Sequence, residues 1–122
     1  SVLFFAAAAD DSLDIRGTSC TDDHSKGVCC KTIEGFRQSL VHFPRASWFV
    51  RAVDDTFVFI DQLALELQAF NPTELLYIGA ASTSLMCNFP DYSRACGEVH
   101  GGGGAGVILS RPLAERLVKH SV

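Results

Sequence analysis

"SWFVRAVDDTFVFIDQL", residues 47–63, sets an aromatic and β-branched run directly against two adjacent carboxylates. Residues 47–53 read as a buried strand, because large aromatic and branched side chains suit a packed, pleated surface. Asp54 and Asp55 follow at once, with no basic residue beside them except Arg51. Beyond the acids, Val58, Ile60, Leu63, Leu65, Leu67 and Phe70 suit an amphipathic helix, which Asn71-Pro72 stops. Strand, acidic turn and helix in this order form one unit of an alternating α/β chain.

The same alternation extends outward. Upstream, residues 2–6 read as a buried strand and the polar stretch 10–28 as a loop. Residues 30–42 place Ile33, Phe36 and Leu40, with Phe43 just beyond, on one helical face that Pro44 ends. Downstream, "LLYIG" (75–79) reads as a short buried strand and 80–100 as a long loop. The glycines of "GGGG" (101–104) lead into a short strand, "AGVILS". Ser110 is placed to cap a last helix carrying Leu113, Leu117 and Val118, with Pro112 in its first turn. The expected fold class is a layered α/β sheet.

A length of 122 residues allows one domain, and an apolar fraction of 48% is enough for a packed core. The net charge is −4 and the basic residues are scattered, which argues against nucleic acid as a partner. The apolar run "VLFFAAAA" (2–9) is too short to span a bilayer and lacks the positive flank of a signal peptide. Any membrane anchor is therefore expected outside this chain.

Five cysteines fall into two groups, Cys20, Cys29 and Cys30, then Cys87 and Cys96. Neither group has the two-to-four-residue pair spacing that zinc favours. Disulfides are the alternative, each closing a loop of about ten residues and contributing about 2–3 kcal/mol. They imply a secretory-pathway lumen.

The acid pair allows two readings. Aspartate is common where strands end, because its carboxylate caps backbone N–H groups in turns. Two carboxylates at the carboxyl end of a buried strand can also hold Mg²⁺ or Mn²⁺, leaving coordination positions for phosphate oxygens. Ligands of open α/β sheets gather at those ends. The glycine run is either a flexible loop or a place where backbone must approach a ligand. It is neither GxGxxG nor a phosphate loop. His24 and His100 are isolated, although His100 adjoins the glycines.

Taken together, "WFVRAVDDTFV", "LLYIGAAS" and "HGGGGAGVILSRPLAERL" resemble, in that order, the Fringe-like glycosyltransferases of the β1,3-glycosyltransferase superfamily. In that family a W-F/Y strand ends in an Asp-Asp-Asp turn, and a Y-I/V-G strand and a Gly-Gly-x-Gly turn follow. "SCTDDHSKGVCCKTIEGF" is similar to the family's Cys, polar loop and Cys-Lys helix start, which implies pairing of Cys20 with Cys30. Cys87–Cys96 is a further candidate pair. The glycine and "YIGAAS" versions are closest to the family's plant and fungal branch.

The resemblance implies that residues 1–122 are the central, incomplete part of a GT-A nucleotide-sugar-binding domain. It implies an inverting, Mn²⁺- or Mg²⁺-dependent transfer of a hexose or N-acetylhexosamine from a UDP-sugar to a glycan or glycoprotein acceptor. The expected place is the Golgi or ER lumen, as a type II membrane protein, with secretion as the alternative. By carry-over Asp55 is the metal ligand and Asp54 lies against the donor, sharing in the metal site. Gly102, Gly103 and Gly104 line the donor and acceptor pocket. No catalytic base is expected before Val122. Two departures stand out: Val53 replaces the first acid of the triplet, and Ala6-Ala7 replace a Thr-Asp after the first strand, with Asp10 matching a later acid. Both remove polar donor contacts, so a non-catalytic relative that binds a glycan or a protein is the alternative function.

Overall fold

A computed structural model describes residues 2–23, 26–83, 99–101 and 106–121. Among them strands and helices run in the order β1 (Phe4–Ala6), β2 (Ile15–Gly17), α1 (Lys26–His42), β3 (Trp48–Arg51), α2 (Ile60–Leu67), β4 (Tyr77–Gly79), β5 (Ala81–Thr83), β6 (Val99–Gly101), β7 (Val107–Ser110) and α3 (Arg111–His120). The described residues are mixed α/β, as expected. The sheets are small: β3-β7-β4, with β7 antiparallel to both neighbours, and the pairs β1-β2 and β5-β6.

Strand alternation sorts β3 into two faces. Phe49 is buried and packs with Phe36 of α1, Leu109 of β7 and Ala114 of α3. Leu40, Phe43, Ala46, Leu113 and Val118 close round this cluster. The core thus lies between one face of the sheet and the packed pair α1 and α3. Val50 belongs to the other face, in register with Ile108 and, across it, Ile78.

Arg111 locks the chain between α1 and β3 to this core. Its Nε donates to the Ala46 carbonyl at 2.7 Å, and one terminal nitrogen donates to the Phe43 carbonyl. The guanidinium carbon stands 5.2 Å above the centre of the Phe49 ring. A planar fork that serves two carbonyls and stacks on an aromatic is a task lysine cannot copy.

Several expectations are corrected. Residues 10–28 are not one loop. Asp10 caps a 3-10 turn, Asp11–Leu13, its Oδ1 accepting from Ser12 N at 3.0 Å and Ser12 Oγ at 2.6 Å. These bonds hold the Asp10 carboxyl below the usual carboxylate range. The turn bridges Asp10 antiparallel to Ile15, and β2 beyond it pairs parallel with β1. Helix α1 begins at Lys26 rather than residue 30. The helix after the acidic turn is shorter than its apolar pattern, residues 60–67, because 57–59 stay non-helical. The strands at 4–6 and 77–79 are not buried: Phe4 is 58% exposed and Tyr77 53% exposed. The stretch 80–100 begins and ends in strand, β5 and β6.

Ser110 occupies the N-cap position of α3 but does not cap it with its side chain. Its wholly buried hydroxyl donates to the Glu74 carbonyl at 2.6 Å and accepts from Leu76 N at 3.0 Å. It therefore tethers the segment that leads into β4.

The Cys20–Cys30 disulfide is present, with Cα atoms 5.7 Å apart. Gly27 lies inside its loop, and a Cβ there would meet the Thr21 carbonyl oxygen at 2.1 Å. Cys29 is an exposed free thiol. The candidate pair Cys87–Cys96 lies outside the described residues, as does His24. No helix among the described residues is long and apolar enough to cross a membrane.

Candidate functional site

The sheet's register gathers the sequence's candidate residues at one end. Arg51 at the end of β3 and Gly79 at the end of β4 are both paired with Val107, the first residue of β7. Because β7 runs against its neighbours, the carboxyl ends of β3 and β4 lie beside its start. The chain leaves β3 there into Asp54-Asp55, leaves β4 into Ala80, and enters β7 from Gly106.

The acidic turn is closed by its own backbone. Thr56 N donates to the Val53 carbonyl at 3.0 Å. The Asp54 and Asp55 side chains are exposed and make no hydrogen bond or ion pair among the described residues. The turn does not need their carboxylates, which remain open to a ligand. Val53 contributes only its carbonyl to the turn; its side chain offers no donor to a cation.

Gly106 is buried, with φ of +86°, a conformation costly for any residue with a Cβ. A Cβ there would also lie 3.2 Å from the Arg51 carbonyl oxygen. Across β7, a Cβ on Gly79 would lie 3.3 Å from the Gly106 carbonyl oxygen. The two glycines let three backbones converge beside the acidic turn. Gly106→Ala is expected to destabilise by about 1–3 kcal/mol, read as a lower urea midpoint with an unchanged slope. An unchanged midpoint would show that the backbone relaxes there without strain.

Gly101 is in register with Ala81, just past β4. The first glycine of the run thus lies beside the exit of β4, and Gly106, where β7 is entered, lies beside the exit of β3. Gly102, Gly103 and Gly104 themselves lie outside the described residues. The backbone of His100 is in β6, opposite Ser82.

On the face opposite the core, an open groove of about 400 Å³ runs from this end under α2. Val50, Ile78 and Ile108 line it together with Phe57, Phe59 and Leu63, and Gln62 and Glu66 are its polar members. The Phe57 and Phe59 rings meet edge to face at 4.9 Å and are largely exposed.

Mn²⁺ and Mg²⁺ take oxygen donors, and Mg²⁺ is commonly held by one or two carboxylates together with substrate phosphates. The two unengaged carboxylates fit that sharing arrangement. No group of three or more His, Cys, Asp or Glu side chains that could enclose a metal alone occurs among the described residues.

The chain belongs to the Fringe-like family, a hexosyltransferase family, whose model matches residues 4–122. It is 27% identical over 118 residues to the Xenopus laevis glycoprotein-N-acetylgalactosamine 3-beta-galactosyltransferase 1, covering 96% of this chain and 30% of that protein. It is 30% identical over 79 residues to human chondroitin sulfate synthase 3, covering 65% of this chain and 9% of that protein. The mouse chondroitin sulfate synthase 3 matches to the same extent. The chain thus spans less than a third of either kind of relative. No solved structure matches it significantly.

Proposed function

We propose that this chain is the donor-binding part of a GT-A-type glycosyltransferase that transfers a hexose or N-acetylhexosamine from a UDP-sugar to a glycan or glycoprotein. The observation that carries the reading is the register of β3-β7-β4, which sets the entry to β7 at Gly106 beside the exit of β3 into the acidic turn. In this reading Asp55 and Asp54 hold Mn²⁺ or Mg²⁺, and Gly102, Gly103 and Gly104 let the backbone approach the donor. The metal, when bound, neutralises charge on the departing diphosphate. The residues of the chain supply orientation: β3, fixed by Phe49 and Arg111, aims the turn, and Gly106 and Gly79 leave the space beside it free of side chains. The proposed setting is the lumen of the Golgi or ER, consistent with the disulfide.

One observation favours a second reading. Val53 stands where the family has its first acid, so one polar donor contact is missing. A non-catalytic relative that binds a glycan or protein fits that change.

A thermal shift separates the two readings. The full-length protein is heated with UDP, with and without Mn²⁺. The donor reading expects a rise in melting temperature that needs both ligands, equivalent to about 2.7 kcal/mol at a hundredfold excess over Kd. No shift at millimolar UDP and Mn²⁺ sinks the donor reading and leaves the non-catalytic one.

A further inference from the structure

We propose that Arg51 is a donor-binding residue that grips the diphosphate of the nucleotide sugar; this rests on the donor reading above. A ledger of the cations motivates it. Lys31 pairs with Asp22, Arg37 with Glu34 and Arg111 with Glu115. Arg16 donates to the Nε2 of His42 at 2.9 Å. Lys26, Arg45, Arg116 and Lys119 are exposed, where water serves them. Among the described residues, Arg51 alone is a partly buried cation whose side chain makes no hydrogen bond and no ion pair.

Its place gives that charge a purpose. Arg51 ends β3, opposite Val107, with its carbonyl against Gly106, and precedes Asp54 by three residues. Arg51 is partly buried, yet its guanidinium has no protein acceptor among the described residues. Asp54 and Asp55 are the nearest acids in sequence, yet neither pairs with it. Five residues therefore hold two free carboxylates and one free guanidinium. That set matches a ligand with both signs: an anion that carries its own cation. The carboxylates suit the metal, and the planar fork of arginine suits two phosphate oxygens at once. The row Arg51–Val107–Gly79 has only a hydrogen atom at its far position, so no β4 side chain stands in register with Arg51. Where Val53 removes one polar contact to the donor, Arg51 supplies another of opposite charge.

The test is calorimetric titration of the full-length protein and of Arg51→Gln and Arg51→Lys, using UDP and uridine, each with Mn²⁺. Arg51→Gln is expected to bind UDP about tenfold or more weakly, with uridine binding and melting temperature unchanged. Arg51→Lys is expected to recover part of the loss, since it restores charge but not the fork. Inorganic pyrophosphate should displace UDP from the parent protein and lose that power against Arg51→Gln. If Arg51→Gln binds UDP as the parent does, the assignment is wrong while the donor reading stands. Equal losses for UDP and uridine with a lowered melting temperature would make Arg51 structural and overturn it. A parent protein that binds no UDP with Mn²⁺ overturns both.

Discussion

Asp55→Asn in the full-length protein lowers turnover by about 10²- to 10³-fold, the scale of losing one preorganised charge-stabilising group, and leaves the melting temperature unchanged. The second half of that expectation comes from the structure. The Asp55 side chain is exposed and unbonded among the described residues, and the turn is closed by the Val53 carbonyl and Thr56 N–H. Replacing a carboxylate oxygen by an amide keeps the shape and removes the charge, so folding is untouched. The first half comes from the chemistry: a neutral amide is a poor ligand for Mn²⁺ or Mg²⁺. Steady-state kinetics over a Mn²⁺ series should show the loss in kcat together with a higher metal requirement. In the donor reading Asp54 lies against the nucleotide sugar, so Asp54→Asn should act more on its KM. Full activity in Asp55→Asn would reduce the acid pair to a turn and nothing more.

How much of this site could be read from the residues follows from which contacts are local. Asp54-Asp55 announce themselves because two acids after an apolar strand are anomalous at the level of composition. The glycine run is conspicuous for the same reason. Nothing in the residue pattern marks Gly106, although it carries the +86° φ and the close approach to Arg51. A run of glycines does not say which member bears the constraint; that depends on the register of β7 with β3. Arg51 was visible only as a neighbour of the acids. Its significance depends on lacking a partner, which is a property of every other charge in the fold.

The elements themselves divide in the same way. Helix α1 was readable because Phe36, Leu40 and Phe43 recur on one face, and they do pack on the core. Strand β2 was not readable. "IRG" has too few residues for a pattern, and it is a strand through its pairing with β1, eleven residues earlier in register. For α2 the apolar pattern overstated the burial. Ile60 and Leu65 are 63% and 60% exposed, because nothing among the described residues covers that side of the helix. Ser110 illustrates a competition. As a serine before a proline-containing helix it has the signature of a side-chain cap, but two buried backbone groups of the 74–76 segment claim its hydroxyl instead. An unpaired buried backbone group costs more than an uncapped helix start gains.

The core makes the second large prediction, and it is sided. Phe49→Ala is expected to cost about 3–5 kcal/mol, a large fraction of the roughly 5–15 kcal/mol that holds a typical domain together. Phe49 is 5% exposed and touches α1, β7 and α3 at once, through Phe36, Leu109 and Ala114. Its ring also seats the Arg111 guanidinium, whose two carbonyl contacts brace the chain between α1 and β3. Removing the ring therefore opens a cavity and loosens a hydrogen-bonded strap. Val50→Ala, one residue along the same strand, is expected to cost less than about 1 kcal/mol, because Val50 is 43% exposed on the groove face. Phe49→Leu should fall between them, at about 1–1.5 kcal/mol, since it keeps most of the volume. Urea unfolding of the full-length variants measures all three. Because β3 delivers the acidic turn, Phe49→Ala should also weaken Mn²⁺-dependent UDP binding, while Val50→Ala should not. If Val50→Ala proves as damaging as Phe49→Ala, the groove face is a second core and the one-sided packing of this sheet is wrong.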